Sequence, residues 1–242
     1  VNAGGADRHT AITLASKRKS VPSWKISADW AQENGVELCY GEDGTGDIYK
    51  MANINAFAHK CSGYDVITAD GGFDFSSDFN SQERSVLRML SSEVLCGFLC
   101  LREGGVLILK GFDTLSRATA CIIQVLVECF EEVECVKPLS SRPANSEKYF
   151  VCRGYRREAG QARVAALESV VRHEGDDIDV AIERAVVLDV GVYYRIALIN
   201  IALVSRQLLS ISKTLSFISS GCRDLTRREQ ESLAGSWTDH YM

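Results

Sequence analysis

Three polar residues stand at or just beyond strand-like apolar runs. Asp70 follows Val66-Ile67-Thr68-Ala69, Lys110 closes the run from Val106, and Glu147 precedes the run from Lys148 to Arg153. In open α/β sheets, ligands collect at the carboxyl ends of strands, near the point where strand order reverses. An aspartate beside a lysine in such a cleft is suited to holding a sugar hydroxyl, with the neutral amine as proton acceptor and Glu147 orienting or tuning it. The competing reading is a set of loop charges or a structural ion pair. Asp70-Gly71-Gly72-Phe73 also suggests a phosphate loop, but it lacks both the GxGxxG pattern and a Walker lysine. The glycine-dense stretch Gly41 to Ile48 lets backbone approach a ligand closely, with Asp47 on the ligand's polar edge. The same composition also makes ordinary turns.

The elements that must position these residues alternate between strand and helix. Val66 to Ala69 reads as a short buried strand. Glu83 to Leu101 follows with Val86, Met89, Leu90, Val94, Leu95, Phe98 and Leu99 at helical spacing, ended by Gly104-Gly105. Val106 to Lys110 is the next strand, Ala118 to Cys129 the next helix and Val133 to Lys137 another strand. Lys148 to Arg153 is expected as an antiparallel partner at one edge. The pattern predicts an α/β fold: a Rossmann-like, doubly wound, mostly parallel sheet covered on both faces, over residues 1–155. Residues 156–242 are expected to form a partly helical C-terminal extension. Its entry, Gly154 to Gly175, is charged and alanine-rich and reads as a boundary or solvated connection. Ile178 to Val192 and a helical Val204 to Ile218 follow as tail elements.

Bulk properties narrow the classes. With 46% hydrophobic and 24% charged residues the chain can bury a sizeable core. The nine cysteines are odd in number and irregularly spaced, and many lie in apolar runs, which predicts reduced core thiols in an intracellular protein. With no CxxC pair and four scattered histidines, no metal is expected. Val1 to Lys19 lacks the apolar core of a signal peptide, and the missing initiator methionine points to a fragment or a processed chain. Polar residues interrupt Ile196 to Ile218, which predicts a buried or amphipathic helix rather than a membrane span. A net charge of −5 argues against indiscriminate polyanion binding while leaving room for a local basic groove.

Taken together, VITADGGFDF (Val66 to Phe75), VLILKGFD (Val106 to Asp113) and VKPLSSRPANSEKYFVCRGY (Val136 to Tyr155) closely resemble the eukaryotic and viral cap-specific mRNA 2′-O-methyltransferases. These belong to the FtsJ-like class of Rossmann-fold methyltransferases. The resemblance extends from Gly4-Gly5 through YGEDGTGDI (Tyr40 to Ile48), with SRPANSEKY its most specific element. The tail from Leu225 to Leu233 with Trp237 is similar to the end of the cellular enzymes, less specifically. That family works through a Lys-Asp-Lys-Glu tetrad in which the second lysine deprotonates the ribose 2′-OH. The resemblance makes Asp70, Lys110 and Glu147 its last three members. It implies S-adenosylmethionine as cofactor, contacted by Gly4, Gly5, Asp47, Ile48 and Asp70. It implies the 5′ end of capped mRNA as partner, contacted by Asn80 and Asn145, with Arg142 and Lys137 as phosphate partners by charge and position.

The sequence departs from the family pattern in two places. The first lysine of the tetrad lies upstream of the glycine motif, where Lys17 and Lys19 cannot substitute, and the motif itself is shortened to NAGGAD (Asn2 to Asp7). The expectations are therefore a cap 2′-O-methyltransferase, with ribosomal RNA methylation or a silent RNA- or protein-binding scaffold as alternatives. The expected setting is intracellular, nuclear or cytoplasmic, away from membranes and alongside other capping or polymerase components.

Overall fold

The computed structural model describes residues 8–15, 27–72, 82–220, 228 and 231–232. β1 (His9–Ile12) and β2 (Val36–Cys39) pair in parallel, with α1 (Ala28–Glu33) between them. α2 (Met51–Lys60) leads to the four-stranded sheet of β3 (Tyr64–Ala69), β4 (Leu101–Gly111), β5 (Phe130–Val136) and β6 (Lys148–Tyr155). The strand order is β3-β4-β6-β5. β3 and β4 are parallel, and β6 is antiparallel to both β4 and β5, so three of the four strands run the same way. α3 (Gln82–Ser85) and α4 (Leu87–Cys100) connect β3 to β4, and α5 (Arg117–Cys129) connects β4 to β5. α6 (Arg157–Val171), α7 (Ile178–Ala185) and α8 (Val190–Ser220) complete the described chain.

Alternation along the strands decides what is buried. Leu107 and Leu109 on β4 and Phe150 and Cys152 on β6 are buried, whereas Val106, Ile108, Tyr149 and Val151 form a half-buried opposite face. α4 and α5 are apolar around most of their circumference and sit inside the main core. Ser116 starts α5 by accepting the Thr119 amide at 3.1 Å, satisfying a donor that the first helical turn leaves free. Phe98 of α4 meets Phe130 and Tyr155 of the sheet in tilted contacts, with ring centroids 5.3 to 6.0 Å apart. The buried Tyr155 hydroxyl donates to the Phe98 carbonyl at 2.9 Å. The eight described cysteines carry free thiols, seven of them buried in agreement with their apolar neighbourhoods.

Several expectations are corrected. Val66 is 51% exposed rather than buried, because β3 is the outermost strand of its sheet. Gly104-Gly105 does not end α4. The helix stops at Cys100, and β4 starts at Leu101 with a bulge between the pairs Tyr64–Leu101 and Val66–Val106, where Gly104 takes φ +73°. β6 is not an edge strand, since β5 lies outside it. Gly154 to Gly175 is no solvated connection: α6 buries Gly160, and its Leu167, Val170 and Val171 join the main core. The long C-terminal helix is buried only at Ile196. α8 is long and apolar enough to cross a bilayer. Here its polar residues tie it to neighbouring loops, Asn200 Nδ2 donating to the Thr114 carbonyl at 2.7 Å and Gln207 Nε2 to the Ala144 carbonyl at 3.1 Å. Of the tail from Leu225 to Leu233 only isolated positions are described, and Trp237 lies outside the described residues.

Candidate active site

Parallel pairing sets the first contact. Ala69 on β3 faces Leu109 on β4, so the next residues along, Asp70 and Lys110, emerge side by side. Lys110 Nζ lies 2.6 Å from Asp70 Oδ1 and 3.1 Å from the Asp70 carbonyl. The lysine side chain is 13% exposed and the aspartate 71%, so the cation sits inside and the carboxylate at the mouth. The ammonium also stands 5.7 Å from the centre of the Phe112 ring. A Cβ at Gly72 would be 3.2 Å from Nζ, so glycine leaves the lysine head room at this turn.

Antiparallel pairing brings the rest. Tyr149 on β6 lies directly across from Lys110. Burial raises the pKa of its phenol, and the charges of Asp70 and Glu147, with a hydrogen bond to Glu147, act in the same direction. The charges of Asp70 and Glu147 thus both act on this phenol, and strand register sets its residue across from Lys110. Glu147 Oε1 also accepts from Ser141 Oγ at 3.2 Å.

The loop from β5 to β6 changes one reading. Lys137, expected to meet phosphate, turns inward and donates to Ser141 Oγ at 3.1 Å, to both oxygens of Asn145 and to the Glu147 carbonyl at 2.6 Å. An ammonium has three donors, and this one is spent on holding the loop; burial pushes its pKa down. The Asn145 side-chain oxygen takes one of those bonds, leaving its amide nitrogen outside the network. Arg142 is exposed and makes no ion pair among the described residues.

The loop after β2 is built on three left-handed glycines, Gly41, Gly44 and Gly46, with φ between 65° and 75°. Gly46 is fixed by contact, since a Cβ there would stand 1.8 Å from the Thr13 carbonyl oxygen. Asp47 Oδ1 accepts the Tyr49 amide at 2.9 Å, and its carbonyl accepts from the buried Asn53 side chain at 3.1 Å. Ile48 packs against the main core. Gly4, Gly5 and Asn80 lie outside the described residues.

Two polar residues packed beside the Lys110–Asp70 pair escaped the sequence reading. Tyr149 sits in a strand run where a tyrosine has no distinctive signal. Glu93 is the lone acid in the apolar stretch Leu87 to Cys100, one turn beyond Met89, and that anomaly was available to be read. Its Oε1 accepts the Gly71 amide at 2.8 Å. Among the described residues no group of three or more His, Cys, Asp or Glu side chains is placed to hold a metal.

Comparison with known proteins fits this geometry. The FtsJ-like methyltransferase profile matches residues 8–155. The chain is 34% identical over 142 residues to cap-specific mRNA (nucleoside-2′-O-)-methyltransferase 2 of Danio rerio, covering 57% of this chain and 19% of that protein. Similarity to cap-specific mRNA (nucleoside-2′-O-)-methyltransferase 1 is 40% over 120 residues for Trypanosoma brucei brucei, covering 48% of this chain and 32% of the relative. For Xenopus laevis it is 42% over 129 residues, covering 49% and 15%. The matches thus span between 15% and 32% of the length of two of these relatives, and 19% of the third.

Proposed function

Since this chain belongs to the FtsJ-like methyltransferase family, we propose that it transfers methyl from S-adenosylmethionine to a ribose 2′-OH of capped mRNA. The observation that carries the reading is the Lys110–Asp70 pair, 2.6 Å apart at adjacent strand ends. The names of the relatives support the cap as the feature recognised. Lys110 Nζ takes the proton of the 2′-OH, Asp70 fixes the direction of Nζ, and Glu147 orients the group through Tyr149. S-adenosylmethionine, when bound, supplies an activated methyl on a sulfonium whose positive charge disfavours a neighbouring ammonium. The described residues fit that cofactor: the left-handed glycines keep Cβ atoms off the loop after β2, and Asp70 reaches out beyond β3. The reading takes Asp47 and Ile48 as further cofactor contacts, together with Gly4 and Gly5. On the RNA side the reading uses Arg142 for phosphate, with Asn145 and Asn80 contacting the nucleotide. It places the protein where capped RNA is made or matures, in nucleus or cytoplasm, beside other capping or polymerase components.

Lys110→Ala is expected to lower methyl transfer by a factor of about 10²–10⁴ while leaving cofactor binding nearly intact. An alanine variant with full activity refutes Lys110 as the base. Transfer to capped and uncapped short RNAs, measured side by side, tests the substrate: equal rates on both would overturn cap specificity.

A further inference from the structure

Behind the Asp70-Gly71-Gly72 turn lies a carboxyl group that the proposed reaction does not use. Glu93, in the middle of α4, is 7% exposed. Oε1 accepts the Gly71 amide at 2.8 Å, and Oε2 is buried with no hydrogen-bond partner. A Cβ at Gly71 would stand 2.5 Å from Oε1 and 2.7 Å from Met89 Sδ, so the turn is pressed directly onto this side chain. Burying a carboxyl without satisfying it is costly. Leucine would fill the same space without that cost, so the retained acid calls for a role in the turn it holds.

The titratable and charged groups around Glu93 come from each packed element. Asp70 and Lys110 face it from the ends of β3 and β4, and Cys96 from its own helix. Tyr49 reaches it from the loop before α2, with the Arg88 guanidinium 4.6 Å over the Tyr49 ring. The two residues of the proposed catalytic pair are thus also the two charges that act on Glu93.

We infer that Glu93 is a positioning residue for the Lys110–Asp70 pair: it fixes the turn through the Gly71 amide and holds its carboxyl directly behind the pair. The inference rests on the assignment of Lys110 as the base. Burial pushes the Glu93 carboxyl up to about 7, the Gly71 amide and Lys110 pull it back, and Asp70 adds to the rise. Neutral Glu93 leaves Asp70 as the carboxylate in contact with Nζ. Ionised Glu93 adds a second negative charge, which favours the ammonium over the proton-accepting amine.

The test compares wild type with Glu93→Gln, which keeps an acceptor for Gly71 and removes the charge, and with Glu93→Leu, which removes both. The glutamine variant is expected to keep its plateau kcat within about threefold and to move the rising limb of its pH–rate profile to lower pH by about half a unit or more. The leucine variant is expected to lose about tenfold or more of the plateau rate. In the unliganded chain, the Gly71 amide resonance is expected to titrate with a midpoint near 7, and to be flat over that range in Glu93→Gln. A glutamine profile superimposable on wild type, a leucine variant at full rate, or a Gly71 amide that does not titrate in wild type would each overturn the inference. Absence of methyl transfer by wild type would instead strike the proposed function, and the Gly71 titration would still decide whether Glu93 holds the turn.

Discussion

Replacing Glu93 by glutamine should make the stability of the protein less dependent on pH, in a direction fixed by the structure. The carboxyl titrates at about 7 in the folded chain against 4.5 for the unperturbed group, chiefly because burial penalises its charge. Between those values the folded state holds a proton that the unfolded chain has released, so wild-type stability falls as pH rises through the window and levels off above it. At about 1.36 kcal/mol per unit, the difference comes to roughly 3 kcal/mol across the window. Glutamine carries no such proton. The stability of Glu93→Gln relative to wild type should therefore improve by roughly that amount between pH 4.5 and 8, with most of the change complete by pH 7. Urea unfolding at half-unit pH steps measures it, provided the denaturant slope is the same for both proteins. Exposed carboxylates titrate alike in both chains and cancel in the difference. A difference that stays flat over the window, or moves in favour of wild type as pH rises, refutes the claim that this carboxyl is buried against its charge.

Two further predictions concern the rim of the site. Gly44→Ala meets open space and bears only the left-handed backbone penalty, about 1–2 kcal/mol. Gly46→Ala adds a collision with the Thr13 carbonyl and should cost at least about 1–3 kcal/mol more; equal losses in denaturant unfolding would mean that the loop after β2 does not lie on that backbone. Arg142→Gln should weaken RNA binding and lower the magnitude of its salt slope by about 0.7, as one lost phosphate contact would. Lys137→Met should leave that slope unchanged while opening residues 138–147 to proteolysis, because this ammonium is spent inside the loop. A salt slope that falls for Lys137→Met and not for Arg142→Gln would reverse the two roles.

What could be read from the residues alone was whatever local pattern controls. The strand through Val106 to Lys110 and the helix from Ala118 show themselves because apolar periodicity over such lengths has one satisfactory burial, and the observed β4 and α5 enclose both. Asp70 and Lys110 were legible for the same reason, each being the polar residue at the end of an apolar run. α6 was not. Its buried positions, Gly160, Leu167, Val170 and Val171, are interleaved with alanines and exposed charges. What recruits it is the surface of α4, which no local window contains.

The internal position of β6 exposes the deeper limit, and it bears directly on the site. Strand order is settled by long-range pairing, and Lys148 to Arg153 carries the same apolar signal whether it lies at an edge or between two strands. Only its antiparallel register between β4 and β5 sets Tyr149 across from Lys110, with Glu147 just before the start of the strand. Glu93 depends likewise on the packing of α4 beneath the turn after β3. The residues that touch the proposed chemistry are therefore announced by strand ends, whereas those that hold them in place are defined by contacts between elements distant in the chain. A sequence reading recovers the first group and passes over the second, and the second is where pH sensitivity should reside.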